Sequence, residues 1–426
     1  MANEWRLRPL EEVAHVVMGY SPKGDTYNND GEGVPLLNGP TEFGPHSPHV
    51  TLFTTAPSRF SGRGDILFCV RGSTTGRMNW ADKRYAVGRG IAAIRAKTNV
   101  EDTYFIYCCI REFMQRLLSL TSGSVFPNLS TGDINGFEIP WPEKPVRGSI
   151  VYILRTLDDK IELNRRMNRT LEKMAAAVFK SWFIDFDPVR AKAEGHDPNL
   201  PKKIAALFSD SFEESELGDV PKGWRVGPLT EIAILQTKTV QPSKQPDTLW
   251  EHYSIPAFDE GRQPKWERGD TIKSGKYAVP HVCVLASKLN PQFPRVWLPE
   301  VTNVETAICS TEFMPFVPIQ GYWRPYLYEL LKSSTIQEGI LARVSGSTGS
   351  RQRVKPKDIA VMTVVIPPHD VINTFCSLIE GLHRKLLANR RNSLTLSRTR
   401  DQLLPKLLSG ELTVPDAATF TEEMVR

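Results

Sequence analysis

The feature that most constrains this chain is that it is written twice. Trp5-Arg6-Leu7-Arg8-Pro9-Leu10-Glu11-Glu12-Val13-Ala14 aligns with Trp224-Arg225-Val226-Gly227-Pro228-Leu229-Thr230-Glu231-Ile232-Ala233 at six of ten positions, an offset of 219. Far downstream, residues 157–171 align with residues 382–396 at seven of fifteen positions, an offset of 225. Both copies of that stretch carry Asn-Arg-Arg, as Asn164-Arg165-Arg166 and Asn389-Arg390-Arg391. Two matches in the same order at nearly one offset make a duplication of halves, with a period far too long for a solenoid. The chain must therefore build two similar units rather than one large core.

Each half opens on Trp-Arg, continues through strand-like sequence and closes on a long amphipathic helix. The divisions fall at residues 1–146, 147–184, 185–220, 221–368, 369–410 and 411–426. Strand readings rest on Asp65 to Val70, Ile91 to Ile94, His281 to Leu285 and Val361 to Ile366, apolar runs bounded by Gly, Pro, Asn and Ser. Helical patterns over Tyr104 to Leu120 and Tyr326 to Leu331 make each unit α+β. Residues 185–220 are rich in Asp, Glu and Pro and read as a solvated acidic linker, and residues 411–426 as an acidic tail.

In the first long helix Leu157, Ile161, Asn164, Asn168, Leu171, Ala175, Val178 and Trp182 recur at alternating spacings of four and three. That is a coiled-coil seam. The equivalent positions in the second helix are Leu382, Leu386, Asn389, Ser393, Leu396, Arg400, Leu403 and Leu407, imperfect at Arg400. Asn164 and Asn389 thus share one seam site. An Asn there costs stability and fixes register and partner orientation. The competing reading is an amphipathic helix lying on its own domain; the duplication, which gives each helix a partner of matching pattern, favours an antiparallel pair.

Net charge is only +5, yet residues 59–97 carry nine basic residues against Asp65 and Asp82. Within them, Arg71-Gly72-Ser73-Thr74-Thr75-Gly76-Arg77 follows a strand and offers glycines, small hydroxyls and two guanidinium groups. Those groups suit phosphate contact and bidentate reading of guanine. Arg84 and Arg89 extend the cluster. In the second half Arg343, Arg351, Arg353, Lys355 and Lys357 fall within fifteen residues that contain no acid, around Ser345-Gly346-Ser347. Either cluster alone reads as solubility; a basic loop in both copies reads as nucleic-acid binding.

Ser122-Gly123-Ser124 precedes Ile139-Pro140 as Ser345-Gly346-Ser347 precedes Ile366-Pro367. With Gly64-Asp65-Ile66-Leu67, with Lys180 to Pro188 after the first helix and Leu403 to Leu412 ending the second, the whole chain resembles the DNA specificity subunit of a type I restriction-modification system. The resemblance implies two α/β-mixed target-recognition domains, residues 1–146 and 221–368, separated by two long antiparallel coiled-coil helices with pseudo-two-fold internal duplication. It implies a bipartite, asymmetric double-stranded DNA target in a phage-defence system. The expected contacts are Arg71, Ser73, Thr74, Arg77, Arg84, Arg89 and Ser124 in the first domain. Those in the second are Lys288, Arg295, Arg343, Ser347, Arg351, Arg353 and Lys355, with Lys288 to Arg295 a candidate counterpart of Arg71 to Arg77. The implied partners are two methyltransferase subunits and two restriction subunits, with S-adenosylmethionine, ATP and Mg held by those partners and no cofactor in this chain.

The sequence offers no catalytic set of its own. Asn290-Pro291-Gln292-Phe293 approaches the Asn-Pro-Pro-Phe tetrad of adenine methyltransferases, but Gln292 replaces the second proline and no glycine-rich strand-to-helix turn precedes it. No phosphate-binding loop of a motor or nuclease signature is present, and His46-Ser47-Pro48-His49 reads as a turn rather than a metal site. Six cysteines, only Cys108 and Cys109 adjacent, read as reduced core residues. No run approaches the ~18 apolar residues of a membrane span, and the opening residues lack an apolar h-region. The expectation is a cytoplasmic, non-catalytic DNA reader; the rivals are a stand-alone DNA methyltransferase and a helical protein-binding adaptor without DNA readout.

If the helices act as a ruler, the 38 residues from 147 to 184 span at most about 57 Å at ~1.5 Å per residue. A four-residue insertion near Ala175 to Val178 adds ~6 Å and is expected to lengthen the preferred spacer by about one or two base pairs. Mapping methylated sites beside the parent checks this; an unchanged spacer at full activity would assign the distance to another element.

Overall fold

A computed structural model describes residues 5–44, 46–121, 127–344 and 352–413. The chain divides into two compact units, residues 1–164 with 392–426, and residues 165–391.

In the first unit the Trp-Arg opening and the Ile-Pro stretch turn out to be pairing partners. Strand Leu7–Pro9 lies antiparallel to Glu138–Pro140, with Arg8 opposite Ile139, so the repeated motifs mark the two ends of a closed domain. Between them lies a four-stranded antiparallel sheet in the order Ala14–Met18, Ile91–Ala96, Ile66–Cys69, Met78–Trp80. Its two middle strands are buried on both faces, which is why they read as continuous apolar runs. A five-stranded mixed sheet follows the order Tyr27–Asn28, Phe53–Thr54, Val34–Leu37, Tyr85–Val87, Phe60–Ser61. Only its Val34–Leu37 and Tyr85–Val87 pair is parallel.

Helix Val100–Glu112 starts where Asn99 accepts the Asp102 N–H at 2.7 Å, with Glu101 and Asp102 in its positive first turn. The single helix expected from Tyr104 to Leu120 is two, because Phe113 leaves the helical region (φ −94°, ψ 20°) before Met114–Leu118. Asp102 is buried and meets Arg147 of the first long helix in a bidentate pair, Nε to Oδ1 and Nη2 to Oδ2, both 2.9 Å. The guanidinium also lies 4.1 Å from the Trp141 ring centroid.

The second unit repeats the plan. Arg225–Pro228 pairs with Thr363–Ile366, and the four-stranded sheet runs Ala233–Leu235, Phe313–Pro318, Val284–Ser287, Val296–Trp297 in the same relative order. Its five-stranded sheet again centres on a parallel pair, Leu249–Tyr253 with Ala307–Cys309, flanked by Lys265–Arg268 and Lys276–Ala278. The copies differ at one edge. Tyr27–Asn28 attaches beside the partner of Val34–Leu37, whereas Thr239–Val240 attaches beside the partner of Ala307–Cys309. The expected strands at His281 to Leu285 and Val361 to Ile366 begin three and two residues later, at Val284 and Thr363. The helix expected over Tyr326 to Leu331 spans Arg324–Lys332.

Residues 185–220 are not a solvated linker. They form helices Asp187–Ala193 and Lys202–Ala205 and a hairpin of Phe212–Ser215 with Gly218–Pro221. Phe186, Val189 and Phe208 are buried in one core with Trp182 and Trp224. The acidic side chains that dominate the composition, Glu213, Glu214 and Glu216 among them, are solvent-facing or half-buried, so average charge concealed a few well-spaced apolar anchors.

The long helices are Lys144–Phe183 and His369–Ser409, and each unit receives a segment of both. In the first unit Leu157 and Ile161 share a core with Leu396, Leu403 and Leu407. There Asn164 Nδ2 donates to Asn392 Oδ1 at 2.9 Å and Ser393 Oγ at 3.2 Å. In the second unit Asn389 Nδ2 donates to Asn168 Oδ1 at 2.9 Å, the same contact at positions 225 residues on. The pairings Asp158 with Arg400 and Asn164 with Ser393 show antiparallel segments in the first unit, as do Asn168 with Asn389 and Phe179 with Phe375 in the second. Leu386 is buried, while Leu171, Val178 and Leu382 are half-buried. Arg400, the flaw in the seam pattern, is held by Asp158 and Asp401. The second helix ends at Gly410 (φ 74°), where the Leu412 N–H reaches back to Lys406 O at 3.1 Å.

Burial raises the Asp102 carboxyl, but hydrogen bonds from Arg147 and Thr98 outweigh it and hold the group below its ordinary value. A lowered folded value stabilises above the ordinary carboxylate range, and the gain is lost as pH falls through the folded value. Arg147→Met is expected to cost about 3–5 kcal/mol at neutral pH by stranding a buried charge. Urea unfolding at pH 7 and at about pH 3 checks this, and the gap between parent and variant should narrow in acid.

Candidate nucleic-acid interface

In each unit an eight-residue loop joins the two strands at one edge of the four-stranded sheet. Residues 70–77 connect Ile66–Cys69 to Met78–Trp80, and residues 288–295 connect Val284–Ser287 to Val296–Trp297. The loops share one backbone frame. Arg71 bridges Asn128 as Leu289 bridges Arg353. Gly72 N–H donates to Pro127 O at 3.1 Å and Asn290 N–H to Gln352 O at 2.9 Å. Leu129 N–H donates to Val70 O at 3.0 Å and Val354 N–H to Lys288 O at 3.2 Å. Each tip closes with the same turn, Thr75 N–H to Gly72 O and Phe293 N–H to Asn290 O. Gly72 (φ 86°) and Asn290 (φ 47°) both take the left-handed conformation, which these two residue types enter at least cost. The counterpart of Arg71 to Arg77 is therefore Leu289 to Arg295, at an offset of 218.

The clamp turns the first loop outward. Arg71, Ser73 and Arg77 are exposed, and neither arginine forms a salt bridge among the described residues. Thr74 is half-buried with Oγ1 3.5 Å from Cys69 Sγ, and Thr75 Oγ1 points inward to Gly72 O at 2.8 Å and Pro127 O at 2.9 Å. Arg84 is exposed with its guanidinium 3.7 Å from the Phe60 ring centroid, and Arg89 is exposed with its backbone N–H on Ser21 Oγ. Other cations of the cluster are committed within the fold. Arg95 pairs with Asp65 at 2.6 Å, and Lys97 Nζ donates to Glu11 O at 2.5 Å.

The second set is placed differently from the expectation. Arg295, at the position of Arg77, forms a bidentate pair with Asp259 (2.8 and 2.9 Å) and is only 15% exposed. Arg353 forms another with Glu312 (3.1 and 2.9 Å), whose hydrogen bonds raise the arginine above its ordinary value. Arg343 donates to Gly339 O at 2.9 Å, Lys288 is half-buried in the clamp, and Lys355 is exposed just before helix Pro356–Ala360. Sequence reasoning missed Gln292 and Phe293, both exposed in the second loop; aligning the loops at offset 218 would have found them. Ser124, Ser347 and Arg351 lie outside the described residues.

Among the described residues no group of His, Cys, Asp and Glu is arranged to hold a metal ion, and all six cysteines are free and buried. Burial pushes the Cys283 and Cys376 thiols up to about 12. No helix of the described residues is long and apolar enough to cross a membrane.

Residues 2–173 match the family model described as the type I restriction modification DNA specificity domain. The chain is 24% identical to the type I restriction enzyme MjaIX specificity subunit of Methanocaldococcus jannaschii, over 97% of this chain and 94% of that protein. It is also 24% identical to the type I restriction enzyme HindI specificity subunit of Haemophilus influenzae, over 82% and 87%. Its fold resembles that of the type I restriction-modification S subunit from M. genitalium, with a TM-score of 0.55 at 18% identity over 95% and 96% of the two chains. Both of these sequence relatives are specificity subunits of type I restriction enzymes, and the family match falls on the first recognition domain and runs into the first long helix.

Arg71→Ala and Arg77→Ala are expected to weaken sequence-specific duplex binding by roughly 1–3 kcal/mol wherever the lost contact is bidentate to a base. Binding isotherms on cognate and scrambled duplexes check this; unaltered affinity and preference in both variants would turn the loop away from DNA.

Proposed function

We propose that this chain reads a bipartite, asymmetric duplex target, one half by each unit, and delivers partner enzymes to it. The observation that carries the reading is the loop frame common to both units with different exposed side chains on it. A shared frame places residues at one depth against a groove, while unlike side chains select unlike bases. Residues 1–146 and 221–368 serve as target-recognition domains. The long helices serve as spacer and as the surface on which two methyltransferase and two restriction subunits dock. Those subunits hold S-adenosylmethionine, ATP and Mg, and the assembly works on DNA in the cytoplasm. Neither rival reading uses the two exposed loops. A stand-alone methyltransferase would need a cofactor-binding turn in this chain, and a helical adaptor would need no contact with DNA.

The test has two arms. The purified chain is expected to shift duplex DNA in a salt-dependent manner and to transfer no methyl group without an added methyltransferase subunit. With that subunit present, replacing residues 1–146 by another recognition domain should change one half-site only. Robust methyl transfer by the chain alone, or a change in both half-sites, would overturn the reading.

A further inference from the structure

The two loops have one backbone and opposite chemistry. Where the first presents Arg71, the second has Leu289, and where the first presents Arg77, the second has Arg295 locked onto Asp259. Arg353, beside the loop across the Leu289 bridge, is likewise held by Glu312. What the second loop turns to solvent is Gln292, Phe293 and Pro294. Phe293 occupies the place of Thr75, whose hydroxyl is tucked into the clamp, yet Phe293 is 60% exposed. Arg295 keeps the loop in this shape, with Nη1 3.5 Å from Phe293 O.

A planar amide beside an exposed aromatic ring has a specific match in the major groove. Glutamine carries a donor and an acceptor in one plane and pairs with adenine N7 and N6, whereas arginine pairs with guanine O6 and N7. The thymine methyl is the apolar group on that groove edge, and Phe is among the side chains that pack on it. We propose that the second loop reads an A·T pair, Gln292 hydrogen-bonding the adenine and Phe293 packing on a thymine methyl. Asn290-Pro291-Gln292-Phe293, which resembles a methyltransferase tetrad in sequence, is then a reading loop: Asn290 supplies the left-handed bend, and Pro291 is buried beneath the tip.

This inference rests on the proposed function, and one experiment separates the two. The full-length chain is used to select from a library of randomised duplexes, and the enriched motif is sequenced for the parent and for Gln292→Ala, Gln292→Arg, Phe293→Ala and Arg71→Ala. Gln292→Ala should lower the preference for adenine at one position of one half-site by roughly tenfold. Gln292→Arg should move that position toward guanine, and Phe293→Ala should weaken the preference for thymine at that pair or the next. The other half-site, altered only by Arg71→Ala, reports that each variant is folded. If the Gln292 and Phe293 variants keep the parental motif while Arg71→Ala changes one half, the second loop is not the reader and the broader function stands. If the parent enriches no motif, both fall.

Discussion

Each unit of this protein holds a segment of both long helices, and the seam where those segments meet is the contact on which the rest depends. Leucines supply its burial, but leucines alone would tolerate a shift by one heptad. The amides do not. Asn164 meets Asn392 and Ser393 in the first unit, and Asn389 meets Asn168 in the second, so any other register would strand a polar side chain among apolar ones. Arg400 adds a charged version of the same constraint, because its guanidinium is half-buried and Asp158 stands opposite it. Glu172 does the same in the second unit by accepting from both Arg262 and Arg390.

Much of this was legible before the structure. The seam positions, the paired Asn sites and the strand-rich character of both halves follow from spacing alone, because helix and sheet periodicities are local. The duplication located the chain ends of each domain, although only the pairing of Leu7–Pro9 with Glu138–Pro140 explains why those stretches repeat. What sequence misjudged was set by partners distant in the chain. Residues 185–220 read as linker because charge was averaged over a segment whose fold is decided by Phe186, Val189 and Phe208. Arg295 and Arg353 read as free cations because Asp259 and Glu312 lie 36 and 41 residues away in sequence.

The loops divide their labour between backbone and side chain. The frame is held by main-chain hydrogen bonds to residues 127–129 and 352–354, which any sequence can make. The bend imposes a residue type, which Gly72 and Asn290 meet in different ways, and in the first loop Gly76 (φ 93°) does so as well. The exposed positions, Arg71, Ser73 and Arg77 in one loop and Gln292 and Phe293 in the other, can vary without disturbing the sheet beneath, where Ile66 to Cys69 and Val284 to Ser287 are buried. Loops built this way can change the side chains they expose without refolding.

The split composition of the first unit also bears on how the chain is made. Its core includes Leu396, Leu403, Leu404, Leu407 and Leu408, which emerge from the ribosome after the whole of the second unit. At about 5–20 residues per second, synthesis of residues 165–391 holds that core open for roughly 10–45 s. During that interval Leu157, Ile161 and Leu154 lack their seam partners, so the nascent first domain presents an apolar helix face. The protein therefore finishes its N-terminal half last, and the final turns of the second helix act as the closing piece of a domain whose strands were synthesised first.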